Sequence, residues 1–127
     1  MKTKLIDIVN SLDSLVVMSE LEIDAQTAYD LGKMIIKFNE ENQIYEQKRI
    51  KLIEKYGERN SNEMRVKNEN LPAFFNELAE FGNLEVETPF EKFIISKKVL
   101  SMCPNIKPKH FINTAEFIEF YDDDIDE

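Results

Sequence analysis

The sequence predicts a mainly α fold with a minor β component, a few short strands set around one dominant helix. Three observations carry this expectation. Apolar residues recur at helical spacing along most of the chain. One unbroken helical pattern runs from Ala25 to Tyr56, far beyond the usual helix of about 11–12 residues. Strand-like alternation is confined to short stretches between the helical ones.

The elements follow in order. Leu5, Ile8, Val9, Leu12, Leu15 and Val16 form a helical stripe over residues 4–18. Asp24 stands as the N-cap of the long helix, and Gly57 sits where a C′ glycine would end it. Residues 58–62 (ERNSN) read as a turn, and Met64–Lys67 as a short strand. A third helix is expected over Glu69–Phe81. Pro72 is tolerated in its first turn, Phe74, Phe75, Leu78 and Phe81 form its inner face, and Gly82 is its stop. Residues 84–88 (LEVET) alternate as a half-exposed strand, with a second extended piece at Phe93–Ile95. Ser96 caps a short helix through Met102, ended by Pro104. Pro108 then opens a last helix carrying Phe111, Ile112, Ala115, Ile118 and Phe120. The expected organisation is one helical domain over 1–121 and an acidic tail over 122–127.

The long helix carries the sharpest expectation. Leu31, Ile35, Phe38, Tyr45, Arg49, Leu52 and Tyr56, with Ala28 and Asn42, fall at alternating spacings of three and four. That is a heptad seam, interrupted by polar residues at Asn42 and Arg49. Such a helix runs about 48 Å at 1.5 Å per residue. A compact chain of this size is roughly 36 Å across. The helix is therefore expected to protrude, bend or pack against another chain, with the seam as its contact. If Asn42 and Arg49 are buried there, they set register.

Composition excludes several classes. The chain has 127 residues, enough for one modest core. Cys103 is its one cysteine, so no intramolecular disulfide forms, which fits a reducing compartment. No signal peptide and no apolar run of membrane-spanning length is visible, which predicts a soluble cytoplasmic protein without membrane contact. The net charge of -9 is concentrated, because Glu116–Glu127 hold seven acids and no base. The remaining 115 residues carry 16 bases and 18 acids, leaving no basic footprint for nucleic acid.

The search for reaction chemistry is negative. Gly32, Gly57 and Gly82 lie too far apart for a phosphate-cradling loop. His110 is the single histidine, and with Cys103 it falls short of the four ligands of structural zinc. A Cys–His nucleophile pair would need an orienting group and an oxyanion site that nothing here supplies. Cys103 reads as a small buried apolar residue. Glu77 with Glu80, and Glu116 with Glu119, share helix faces at i, i+3, as solvated faces commonly do. Asp122, Asp123, Asp124 and Asp126 lack the spacing of a calcium loop. Lys48, Arg49, Lys51, Lys55 and Arg59 are interleaved with Glu46, Glu54 and Glu58, and Glu46 can pair with Arg49. Of Phe117, Phe120 and Tyr121, set among acids, at least one is expected to face solvent or a partner. No catalytic residue, cofactor or metal is expected.

Two stretches carry a family resemblance. Residues 22–57 read EIDAQTAYDLGKMIIKFNEENQIYEQKRIKLIEKYG, and residues 69–87 read ENLPAFFNELAEFGNLEVE. Both resemble small phage and prophage proteins of low-GC Gram-positive bacteria, the group called domain of unknown function 1617. The resemblance covers most of the chain. It implies a phage accessory or assembly protein acting inside a bacterial cell, and it brings no site residues with it. The leading expectation is a non-enzymatic interaction protein, an assembly or adaptor component whose partner is another protein or a second copy. The alternative is a host-directed anti-defence inhibitor whose acidic tail and 77–91 segment imitate nucleic-acid phosphates.

Overall fold

The computed structural model describes residues 1–60 and 63–122. The fold is mainly α with short strands. Strand β1 (Lys2–Lys4) leads directly into helix α1 (Leu5–Met18), and helix α2 (Ala25–Tyr56) follows after a short turn. Strands β2 (Gly57–Asn60) and β3 (Glu63–Val66) form an antiparallel hairpin. A 3-10 turn at Asn68–Asn70 opens onto helix α3 (Leu71–Gly82). Strand β4 (Glu85–Glu87) returns to pair antiparallel with β1. Strand β5 (Phe93–Ser96), a 3-10 segment (Lys97–Met102), helix α4 (Pro108–Thr114) and strand β6 (Ile118–Tyr121) complete the chain.

Helix α1 is the hub, packing against both α2 and α4. Its Ile8, Leu12, Leu15 and Met18 meet Leu31, Met34 and Phe38 of α2, with Ile95, Cys103, Phe117 and Ile118 closing the same core. Burying one such large side chain contributes about 1.5–3 kcal/mol, so this cluster sets the position of α2. Helix α2 starts where Asp24 accepts hydrogen bonds from the Thr27 backbone N–H (3.0 Å) and hydroxyl (2.7 Å). These bonds hold the Asp24 carboxyl below its ordinary pKa. Beyond Phe38 the helix leaves the main core, and its second half packs against α3 and β3.

Several expectations need correction. Gly57 does not adopt the left-handed conformation of a C′ glycine; its φ of -96° and ψ of 170° begin a strand. A Cβ there would lie 2.2 Å from the Ile53 carbonyl oxygen and 2.8 Å from that of Arg65, so close backbone approach demands the glycine. The Tyr56 carbonyl is met instead by the Asn70 side-chain amide (3.0 Å) and the Lys67 N–H (3.3 Å). The turn expected over 58–62 narrows, since 57–60 are strand; positions 61 and 62 lie outside the described residues. Gly82 does not stop α3 from outside but ends it from within, pressed against Ile6. Phe75 was expected on the inner face of α3 yet is 58% exposed, while Phe74 is buried.

The last helix stops at Thr114, short of Ile118 and Phe120. Those residues lie in β6, which pairs in parallel with β5 from Phe93↔Ile118 to Ser96↔Tyr121. Parallel pairing needs a long crossover, here residues 97–117. Phe117 is pulled fully into the core by this turn, whereas Tyr121 stays half-exposed. Glu116 and Glu119 consequently do not share a helix face. The tail beyond Asp122 lies outside the described residues.

Candidate interaction surface

The seam residues of α2 resolve into two sets. Leu31, Phe38, Tyr45 and Leu52, each seven residues from the next, are all buried. Ile35, Asn42, Arg49 and Tyr56 are half-buried beside them. The cover is this chain's own α1 and α3, so the contact expected with another chain is made internally. A heptad pattern identifies which face is covered, and it is the same whether the covering helix belongs to one chain or two. Arg49 is turned along the helix onto Glu46, at 3.1 Å through Nε and 3.0 Å through Nη2. Its position is a solvated margin of the seam.

Where the seam meets α3, polar groups lock the two helices. The Glu77 carboxylate accepts from Lys55 Nζ at 2.8 Å and from the Tyr56 hydroxyl. The Lys55 ammonium, then the Tyr56 hydroxyl, holds Glu77 below its ordinary pKa. The bond to Glu77 in turn raises Lys55. Tyr45 packs edge-on against Phe81, centroids 6.4 Å apart, and burial raises the pKa of its phenol. Lys48 lies over the other aromatic partner of this contact, 5.8 Å from the Phe81 centroid. These contacts are a clasp between helices that engages Lys48 and Lys55 of the five basic residues clustered in the sequence, while Arg49 is held by Glu46 within α2. The fifth, Arg59, has its side chain outside the described residues.

The opposite face of α2 is different. Tyr29 is 64% exposed, Ile36 63%, Ile44 50% and Ile50 49%. Tyr29, Ile36 and Ile50 keep a seven-residue register of their own, with Gln43 between them. This outward stripe escaped the sequence reading because the inner seam is richer in apolar residues; its signal was the same period, displaced by half a helix turn. Ile36 also floors a groove of about 570 Å³ completed by Pro89 and Phe90. A smaller apolar recess of about 260 Å³, lined by Ile6, Tyr45, Phe75 and Leu78, opens between α1, α2 and α3.

No family model, curated protein or solved structure matches this chain.

The residues with reactive side chains are engaged elsewhere. Cys103 is buried in the main core. His110 is buried, and its Nδ1 accepts the Lys107 N–H at 2.8 Å, capping α4. Among the described residues no group of three or more His, Cys, Asp or Glu could hold a metal ion. Among the same residues no helix is long and apolar enough to cross a membrane.

Proposed function

We propose that this chain is a non-enzymatic interaction protein acting through the outward face of α2. The role is that of an assembly or adaptor component inside a bacterial cell, as the resemblance to phage proteins implies. The observation that carries it is the row of exposed Tyr29, Ile36 and Ile50, with Ile44 beside it, on a helix whose other face is covered by α1 and α3. Scattered exposed apolar residues are ordinary, but a stripe in register along one rigid helix is what a partner helix reads.

The nucleic-acid-mimic alternative has less support. Glu77 is paired with Lys55 and accepts a hydrogen bond from the Tyr56 hydroxyl. In the β1–β4 ladder Glu87 is paired with Lys2 and Glu85 with Lys4, so the acidic strand is matched by a basic one. Its local field is accordingly weak.

The test uses Ile36→Glu, a change at an exposed position. The variant should keep the wild-type circular-dichroism spectrum and melting midpoint while losing proteins that the wild type retains from infected cells. Identical retention by both forms would overturn the reading.

A further inference from the structure

The outward face of α2 contains a self-complementary charge pattern. Glu40, Ile44, Gln47 and Lys51 follow at i, i+4, i+7 and i+11, which places them on one side of the helix. All four are exposed. Among the described residues neither Glu40 nor Lys51 forms an ion pair within the chain, although Lys37 beside them pairs with Glu41 at 3.3 Å.

We infer that the occupant of this face is a second copy of the chain, with the two α2 helices packed antiparallel about a two-fold axis between positions 45 and 46. The inference rests on the reading of this face as an interaction surface and names its partner. A two-fold contact must be complementary to itself. In this register Glu40 opposes Lys51 of the second copy, Lys51 opposes its Glu40, and Ile44 opposes Gln47 twice over. Moving outward, Lys37 opposes Glu54, again with opposite signs.

Charge also excludes the neighbouring arrangements. Sliding one heptad in one direction sets Lys33 against Lys51 of the second copy. Sliding one heptad in the other sets Lys51 against Gln47 and carries Glu40 past the end of the second copy's α2, so both Glu40–Lys51 attractions are lost. A parallel in-register pair would set every charge against itself. Opposite charges across an interface choose register and orientation in this way, and like charges reject the alternatives. The two Glu40–Lys51 contacts would stand about 16 Å apart along the axis, on either side of the two Ile44–Gln47 contacts. The same arrangement brings the last turns of the second copy's α2 beside the groove floored by Ile36, Pro89 and Phe90.

Sedimentation equilibrium of the full chain tests this. The wild type should dimerise reversibly at low ionic strength and dissociate as salt rises. Glu40→Lys and Lys51→Glu should each weaken the dimer at least about tenfold, since each turns two attractions into two repulsions. An equimolar mixture of the two variants should associate like the wild type, because each mixed dimer has opposite signs at both contacts. The double variant should also recover. A wild type that stays monomeric at millimolar concentration and low salt overturns the inference, as does a dimer that neither single change weakens or a mixture that fails to recover. A monomeric wild type whose foreign partner is still lost in Ile36→Glu would overturn the second-copy assignment alone and leave the interaction face standing.

Discussion

The ring of Phe38 meets the ring of Phe117 edge-on, with centroids 5.0 Å apart and planes at 70°. Both rings are buried, one on the long helix and the other in the turn that delivers β6. The contact joins the middle of the sequence to its last strand. Phe117→Ala should therefore cost about 3–5 kcal/mol in urea-induced unfolding. Tyr121→Ala, four residues away and half-exposed, should cost far less.

Helix α3 offers a contrast between adjacent residues. Phe74 is buried and Phe75 is 58% exposed, although their rings touch. Phe74→Ala should destabilise by about 3 kcal/mol or more. Phe75→Ala should stay within about 1 kcal/mol, because little area returns to water. Equal losses in chemical denaturation would show that Phe75 is better covered than the structure describes.

Gly32 inside α2 and Gly57 just beyond it should respond in opposite directions to alanine. Gly32 lies inside the helix with nothing within 4 Å of an added Cβ. Gly32→Ala should stabilise by about 0.5–1 kcal/mol through reduced freedom of the unfolded chain. Gly57→Ala drives a Cβ into two carbonyl oxygens and should destabilise by about 1–3 kcal/mol. Thermal melts of the two variants beside the wild type separate these outcomes.

The Lys55–Glu77 clasp gives stability a defined pH dependence. Glu77 titrates below its ordinary range, so its contribution is present at neutral pH and fades as pH falls through that lowered pKa. Lys55 titrates above its ordinary range, so its contribution fades as pH rises through the raised value. Lys55 is exposed and Glu77 half-buried, so salt should shrink the effect. The difference in melting midpoint between wild type and Glu77→Gln should be largest near neutrality and close at strongly acid pH. A difference that persists unchanged there would mean packing, not charge, holds α3 to α2.

Much of this fold was legible because its helices carry local signals. Asp24 caps through Thr27 as its residue type implies, and the stripes of α1, α2 and α3 mark the covered faces except at Val16 and Phe75, which the structure leaves exposed. Strand β1 has three residues, too few for any pattern to register. Strand β6 was hidden because Ile118 also fits the spacing of the helix before it; its pairing with β5 is a distant contact that no window of sequence contains. The seam of α2 is legible in the sequence, but the helices that cover it are not. Leu31, Phe38, Tyr45 and Leu52 report a partner helix, and periodicity has no term that says whose helix it is. The outward stripe at Tyr29, Ile36 and Ile50 became visible only once the inner face had been filled.

The division of α2 between two sets of neighbours has a consequence for amide hydrogen exchange. Its first half shares the large core with α1, β5 and β6, while its second half is covered by α3 and the hairpin. Amides near Phe38 should exchange only through global unfolding. Those near Leu52 and Tyr56 should exchange through a smaller opening that releases α3 and the hairpin together. One continuous helix would then belong to two cooperative units, with the boundary between Phe38 and Tyr45.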